Sequence, residues 1–258
     1  MVLKTLITTI KMKNMKMKLF YIIAVIGLFT ACKKDFDGRA TESVGTENKA
    51  FIRIVSGSVG AARNFATLDG ALLNGTPLAM GGIFPGASTV TAFATILPGA
   101  RTIRVYDSSL VPMQTPVSIS SEFKQGKFYT IYTYDTSNAV KAMIGLDEFS
   151  VPSDTTANVK FVNIIFSSSA VPNVDLYSRR KMANIATNIA PLGSSSYIPH
   201  ISGLTDTLEV RATGTTTALT IVNGFTFNAK RTYNVVFRGR YQATSGTMSR
   251  GLTVMATY

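Results

Sequence analysis

The chain has 258 residues, of which 46% are hydrophobic and only 16% are charged, and its formal net charge is +12. This length suits two domains of about 100 residues each plus a leader, and the composition argues against disorder and against charged helical bundles. A single cysteine excludes an intrachain disulfide and a thiolate zinc cluster, and a single histidine excludes a histidine-based metal cluster. We therefore expect no metal and no cofactor.

An apolar stretch lies near the N-terminus. Residues 19–29 are almost all apolar, and five lysines and no acidic residue precede them. The stretch is shorter than the roughly 20 residues that a membrane-spanning helix needs, so it predicts a cleaved signal peptide over residues 1–31. A start at Met15 or Met17 would give a leader of usual length, which makes residues 1–14 a candidate misassigned start.

The leader ends in Thr30, Ala31 and Cys32. This end resembles the lipobox of bacterial lipoprotein signal peptides, in which the cysteine is acylated and becomes the first mature residue. Phe29 stands where the family usually has leucine, and relaxed lipoboxes of this kind occur in Bacteroidetes-type bacteria. The resemblance implies lipidation of Cys32, a membrane partner held through the N-terminal lipid, and an outer-membrane location on either face. The alternative is cleavage by a general signal peptidase beside an unmodified cysteine.

Residues 32–49 form the lipidated cysteine and a hydrophilic tether rich in Lys, Asp, Glu, Gly and Thr, a composition typical of flexible linkers. The charged cluster Lys33, Lys34 and Asp35 resembles surface-export signals of lipoproteins in those bacteria, which implies exposure at the cell surface. The alternative is that this cluster is simply the start of the tether. Removing the five leader lysines lowers the basic count from 26 to 21 against 14 acidic residues, leaving a net charge of +7.

From residue 50 onward the pattern is one of short strands bounded by Gly, Pro, Asn and Ser, without a long helical period. In residues 252–258, leucine, valine, alanine and tyrosine alternate with threonine and methionine. This alternation predicts a strand with one buried face and one face toward solvent. The chain is therefore expected to be all-β.

The two halves of this region resemble each other, as an internal duplication predicts. The matched segments are residues 51–55 with 159–163, residues 103–105 with 208–210, and residues 127–132 with 231–236. The order of these segments predicts a first β-sandwich domain over 50–148, a linker over 149–156 and a second domain over 157–258. A single continuous sandwich of the same length is the alternative.

Short motifs in each half carry a family resemblance. They are Lys160–Asn163, Pro172–Tyr177 and Tyr197–Pro199 in the second half, and Leu97–Gly99 and Gly126–Thr130 in the first. Each half resembles the DUF4397 module, an immunoglobulin-like β-sandwich of unassigned function in bacterial surface and secreted proteins. The first half departs from it at residues 62–66. The resemblance implies two tandem immunoglobulin-like antiparallel β-sandwich domains and no particular activity.

A catalytic site has little support in this sequence. A triad would need the sole histidine, His200, with Ser194, Ser195 or Ser196 and Asp206, but no nucleophile elbow is present. Nothing in the pattern brings together a pair of carboxylates for glycoside hydrolysis; the available acids are Asp147 with Glu148, and Asp135 with Asp154. These acids lie near predicted strand ends and the linker, where solubility explains them. We expect that the protein is not an enzyme.

A candidate ligand surface combines aromatic and basic residues. Arg179 and Arg180 follow Tyr177 closely, and Tyr241 adds an aromatic ring late in the second half. Such residues bind glycans by stacking and hydrogen bonding, whereas export and a lipid anchor argue against nucleic acid. Ordinary solubilising charge and core tyrosines are the alternatives. Asp175 is a candidate calcium or turn ligand.

These observations predict a noncatalytic lipoprotein of the cell envelope, a binding or adhesion module that presents two β-sandwich domains to a glycan or an envelope protein. The alternative is a structural subunit that assembles by strand exchange or edge pairing. A hydrolase is the third hypothesis. The oligomeric state does not follow from the sequence.

Overall fold

The computed structural model describes residues 47–86, 92–108, 116–148 and 150–257. The predicted signal peptide, Cys32 and most of the tether lie outside the described residues. Within these ranges every regular element is a β-strand, which confirms the predicted all-β fold. The same ranges contain no helix that is long and apolar enough to cross a membrane.

The first half forms two sheets. Sheet I has the strand order β3–β2–β6–β7, and sheet II has the order β4–β1–β8–β9, with β5 also paired to β1. The strands are β1 (Ala50–Ser56), β2 (Asn64–Leu68), β3 (Ala71–Leu72), β4 (Ile83–Phe84), β5 (Ala94–Ile96), β6 (Gly99–Asp107), β7 (Val117–Phe123), β8 (Phe128–Tyr134) and β9 (Lys141–Leu146).

The second half repeats this arrangement. Sheet III has the order β13–β10–β16–β17, and sheet IV has the order β12–β11–β14–β15. The strands are β10 (Ala157–Asn163), β11 (Val174–Ser178), β12 (Ala183–Ile189), β13 (Ile198–His200), β14 (Thr205–Ala212), β15 (Ala218–Thr226), β16 (Thr232–Arg238) and β17 (Gly251–Ala256). The described part of the predicted linker, residues 150–156, lies between β9 and β10.

Each half is a β-sandwich with its own apolar core. In the first sandwich, Ile52 and Ile131 of sheet II pack with Ile103 of sheet I. In the second, Val159 of sheet III packs with Leu176 and Leu208 of sheet IV. Full burial of each such side chain stabilises the fold by roughly 1.5–3 kcal/mol.

A third apolar cluster joins the two sandwiches. Val55 and Tyr132 of sheet II contact Val162, Val236 and Met255 of sheet III. The sheets are therefore stacked in the order I, II, III, IV, and both inner sheets are covered on both faces. This explains why nearly every residue of β1 and β10 is buried, rather than every second residue.

The two-sided burial corrects the expectation for the last strand. Leu252 and Val254 face the core of the second sandwich, as the alternation predicts. Met255 and Thr253, however, are buried instead of facing solvent. The prediction of a solvent-exposed face was wrong because sheet II covers this side of β17.

Most strand pairs are antiparallel, as predicted, but each sandwich also contains one parallel pair. β1 pairs with β8 in parallel, and β10 pairs with β16 in parallel, whereas the other strand pairs are antiparallel. The reason is that the chain passes through the opposite sheet between these partners and returns to the same end of the sandwich.

The strand registers define which residues are equivalent in the two sandwiches. Ile52 lies beside Tyr129, and Val159 lies beside Tyr233. The predicted equivalence of the two tyrosines is therefore confirmed, whereas the predicted match of Phe51 with Val159 was wrong by one residue. In this register Arg53 is equivalent to Lys160, whereas the predicted match paired Arg53 with Phe161.

The two tyrosines make the same contacts. The Tyr129 hydroxyl accepts a hydrogen bond from the backbone N–H of Lys124 at 2.9 Å, and the Tyr233 hydroxyl accepts one from Asn228 at 3.0 Å. Phe123 and Phe227 meet the respective tyrosine rings edge-on, with centroids 5.0 Å apart in both sandwiches. The duplication thus extends from strand order to individual side-chain contacts.

Candidate ligand-binding surface

The outer face of sheet IV carries a stacked aromatic and cationic pair. Alternation along β11 buries Leu176 in the core and turns Tyr177 outward. Arg211 projects from the neighbouring strand β14, and its guanidinium carbon lies 3.4 Å from the centroid of the Tyr177 ring. This cation–π contact covers one face of the ring and orients the guanidinium.

A buried carboxylate positions two arginines on this face. The side chain of Glu209 is only 2% exposed, and it accepts hydrogen bonds from Arg211 at 2.8 Å and from the Nε of Arg179. Burial opposes ionisation of Glu209, but the hydrogen bonds and charges of Arg211 and Arg179 outweigh it and hold the pKa below its usual value. The ionised carboxylate therefore fixes both guanidiniums.

The turn after β11 carries the strongest positive charge of this face. We call residues 179–182 the arginine turn; they are Arg179, Arg180, Lys181 and Met182. The backbone N–H of Arg180 donates to Asp206 at 2.9 Å, and its side-chain Nε donates to the carbonyl of Thr205 at 3.1 Å. Met182 is 80% exposed. The turn is thus anchored by its backbone while its side chains reach solvent.

A depression with a volume of about 390 Å³ lies beside the arginine turn. Its lining consists of Arg179, Arg180, Met182, Thr205, Asp206 and Thr207. Among the described residues, no ion pair involves Arg180 or Lys181. Both carboxylates of the region, Glu209 and Asp206, are buried. The surface seen by a ligand is therefore positive and attracts anions.

The equivalent turn of the first sandwich is different. The backbone N–H of Asp69 donates to the carbonyl of Thr102 at 2.9 Å. The backbone N–H of Arg179 donates in the same way to the carbonyl of Thr207 at 3.0 Å. Asp69 is therefore the residue equivalent to Arg179. Asp69 forms an ion pair with Arg101 at 3.1 Å, and Gly70 follows it. The first turn is thus internally neutralised, and the arginine turn belongs to the second sandwich alone.

The structure brings together three of the four predicted surface residues. Tyr177, Arg179 and Arg180 lie on or beside the outer face of sheet IV. Tyr241 lies apart: its ring packs against the core of the second sandwich, and Arg250 sits over it at 5.6 Å. Sequence reasoning missed Glu209 and Arg211, although their spacing of two along β14 places them on one face.

His200 contacts an acid but none of the serines considered with it. Its Nε2 lies 3.0 Å from Asp206, which also accepts a hydrogen bond of 2.5 Å from Ser178. Ser195 instead accepts a hydrogen bond from the backbone of Phe161, and Ser194 pairs with β10. Burial lowers the pKa of His200 despite the hydrogen bond to Asp206. The geometry is that of a buried structural pair.

The carboxylate pairs considered for hydrolysis are not brought together as pairs. Asp147 is fully buried between the sandwiches, so the expectation that it is a solubilising residue was wrong. Glu148 is exposed and pairs with Lys127 at 3.7 Å, Asp135 pairs with Lys141 at 2.8 Å, and Asp154 accepts hydrogen bonds from Thr156. Each acid has its own partners, and none of them is the other acid of its considered pair.

Asp175 is a structural acceptor on sheet IV. Its carboxylate accepts hydrogen bonds from the side chain of Asn184 at 3.1 Å, the backbone of Asn188 at 2.7 Å and the hydroxyl of Thr213 at 2.8 Å. Within the described ranges, no group of three or more His, Cys, Asp or Glu residues is arranged to hold a metal ion. These contacts favour the role of Asp175 in joining turns over the calcium alternative.

A scan against protein-family models finds no match to this chain, and a search of curated proteins finds no match either. The resemblance to the DUF4397 module therefore stays a prediction.

Proposed function

We propose that this protein is a noncatalytic lipoprotein of the cell envelope that binds an anionic glycan or envelope protein through the arginine turn. In this proposal the lipid on Cys32 holds the chain to the outer membrane, and the tether gives the two sandwiches reach. The sandwiches act as a scaffold that presents the outer face of sheet IV.

One observation carries the binding proposal. Arg179 and Arg180 line the same depression, whereas the equivalent turn in the first sandwich has an aspartate neutralised by Arg101. The two copies of the fold thus differ in charge at this exposed turn. Arg179 is paired with Glu209, but no ion pair involves Arg180 among the described residues, and this cation at an exposed turn favours a role in recognition.

The chemistry of the depression favours binding over catalysis. Asp206, its only carboxylate, is occupied by hydrogen bonds from Ser178 and from the backbone of Arg180 and Thr207. Burial raises its pKa, but these hydrogen bonds lower the pKa by more than burial raises it. The pKa of Asp206 therefore lies below its usual value. Such a group is a poor general base, whereas the arginines remain available as donors.

The alternative of a subunit that assembles by exchanging its last strand meets a structural obstacle. The backbone carbonyl of Ala256 accepts a hydrogen bond of 2.7 Å from Arg53, and the Thr257 hydroxyl accepts another at 3.3 Å. Releasing this strand would remove both acceptors from a buried guanidinium, which is costly. These contacts favour a protein that binds its ligand with β17 in place over one that donates β17 to another subunit.

The anchor is tested by mass spectrometry of the protein from its native membrane, combined with protease treatment of intact cells. We expect a diacyl or triacyl adduct on Cys32. Cleavage by external protease would place the sandwiches at the cell surface, whereas protection would place them on the inner face. An unmodified chain released to the medium would overturn the lipoprotein proposal.

The binding surface is tested with the full mature chain against an envelope extract and a glycan array. The double variant R179Q/R180Q is expected to bind at least 10-fold more weakly, since each charge-assisted hydrogen bond contributes about 1.5–3 kcal/mol. Arg231→Gln is the matched control, because it removes a charge from an exposed position of the same sandwich. Equal binding by the wild type and the double variant would contradict the proposal.

A further inference from the structure

We infer that the arginine turn binds a carboxylated polysaccharide, with a uronate unit seated in the depression and the chain continuing beyond it on both sides. This inference rests on the proposed function and names the class of its ligand.

The donors of the depression match planar anions. The Nε of Arg179 is used by Glu209 and that of Arg180 by the Thr205 carbonyl, and within the described residues no hydrogen bond uses the Nη atoms of either side chain. Each guanidinium is therefore held at its base and offers its outer donors in a fixed plane. Such a fork matches the two oxygens of a carboxylate.

The rest of the lining matches a sugar. Thr205 and Thr207 also line the depression, and their hydroxyl groups can exchange hydrogen bonds with sugar hydroxyls. Met182 supplies an exposed, flexible apolar surface for the C–H face of a ring. A site for a bare inorganic anion would need only the arginines.

The shape of the depression favours a polymer over a small free ligand. Its volume of about 390 Å³ lies within the range of roughly 300–1,000 Å³ typical of small-ligand sites. It lies at a surface turn of the outermost sheet, however, and exposed side chains line it. One sugar unit can therefore be seated there while its neighbours extend over the protein surface.

The charge balance favours a moderately charged chain. Four cations, Arg179, Arg180, Lys181 and Arg211, face two carboxylates, Glu209 and Asp206. The small positive excess suits a polymer with one charge per sugar better than a dense polyphosphate.

Sheet III also separates sheet IV from sheet II, whose strand β1 follows the tether, so the arginine turn is not on the sheet that the tether enters.

The test is biolayer interferometry of the full mature chain on immobilised alginate, with dextran, dextran sulfate and polyphosphate in parallel. We expect binding to alginate and none to dextran. Arg180→Gln should weaken alginate binding at least 10-fold, and Arg231→Gln should change it less than 2-fold. Arg180→Lys keeps the charge but loses the planar fork, and we expect it to weaken binding several-fold. Thermal unfolding of each variant establishes that it is folded.

The outcomes separate the inference from the proposed function. Binding of envelope material that depends on the arginine turn, with no binding of alginate, would leave the proposed function standing and overturn the polyuronate inference. Equal binding of alginate, dextran sulfate and polyphosphate, retained in Arg180→Lys, would reduce the site to a general anion surface and also overturn it. Absence of binding to any envelope material would overturn the proposed function itself.

Discussion

Arg53 and Lys160 occupy equivalent positions in the first strands of the two sandwiches, and both reach the carboxylate of Asp147. The nitrogen–oxygen distances are 3.8 Å for Arg53 and 3.7 Å for Lys160. The side chains of Arg53 and Asp147 are 1% and 0% exposed. Equivalent cations of the two sandwiches thus contact the same carboxylate, and the two sandwiches share a buried ionic centre.

Hydrogen bonds complete this centre. Asp147 accepts from the Thr130 hydroxyl at 2.5 Å and from the Asn234 amide at 3.0 Å, and the Tyr197 hydroxyl donates to Asn234 at 2.9 Å. Burial raises the pKa of Tyr132 and of Tyr197, and the negative charge of Asp147 raises both further. Both phenols therefore stay neutral and act as hydrogen-bonding groups.

Replacing the central acid should destabilise the protein strongly. Asp147→Asn leaves Arg53 buried without its counter-charge, and removal of one partner of a buried ion pair costs about 3–5 kcal/mol. The free energy of unfolding, measured by urea denaturation, should fall by this amount. Asp154→Asn is the control, because Asp154 is exposed and bonds only to nearby Thr156. A loss below about 1 kcal/mol for Asp147→Asn would contradict the role assigned to the ionic centre.

Close packing around Gly57, which lies near both sandwiches, can be tested by adding a methyl group. A Cβ atom there would lie 2.4 Å from the Cδ1 of Ile164, in the second sandwich, and 2.6 Å from the carbonyl oxygen of Thr133. We expect Gly57→Ala to lower the unfolding free energy by about 1–3 kcal/mol, since overpacking forces the neighbours to move. Gly75→Ala has nothing within 4 Å of the new methyl group and should be nearly neutral. Similar effects at both sites would argue against close packing around Gly57.

The duplicated tyrosine contacts predict matched effects. Tyr129→Phe and Tyr233→Phe each remove the acceptor for one backbone N–H, that of Lys124 or of Asn228. Each should lower the unfolding free energy by about 1 kcal/mol, the usual effect of losing one hydrogen bond. Thermal or urea unfolding provides the measurement, with Tyr134→Phe as a partly buried control. A large difference between the two variants would show that the equivalent contacts differ in strength.

The buried histidine predicts a dependence of stability on pH. Burial lowers the pKa of His200 below its usual value of 6.5, so the unfolded chain binds more protons than the folded chain just below that pH. Stability should therefore fall as the pH drops from 7 through 6.5 toward the folded pKa. His200→Gln keeps a donor for Asp206 but does not titrate, and it should flatten this slope. An unchanged slope in the variant would assign the effect to other groups.

Local features of the fold were predictable because strand patterns and turn residues depend on short segments of the sequence. The all-β class and the equivalence of Tyr129 and Tyr233 followed from them. The alignment of β1 with β10, which gives the equivalent residues of the two halves, did not follow, since both strands are buried on both faces. The second buried face of β17 was missed for another reason, since the residues of sheet II that cover it lie far away in the chain.

The candidate site was predictable only where its residues are adjacent in the chain. Arg179 and Arg180 stand next to each other and close to Tyr177, so they were identified together. Glu209 and Arg211 reach them from another strand, across a pairing that places Tyr177 opposite Glu209. Tyr241 was grouped with them by residue type, and its packing against the core separates it from them.

The sequence by itself determined the strand composition, the duplication and the basic run of the arginine turn, because periodicity, turn chemistry and net charge are local properties of the chain. Only the tertiary structure decided that the two sandwiches stack through sheets II and III and that Asp147 is buried between them. Which faces of two sheets meet depends on side chains contributed by strands far apart in the chain. A buried ion pair is stable only after all of those strands have excluded water from it.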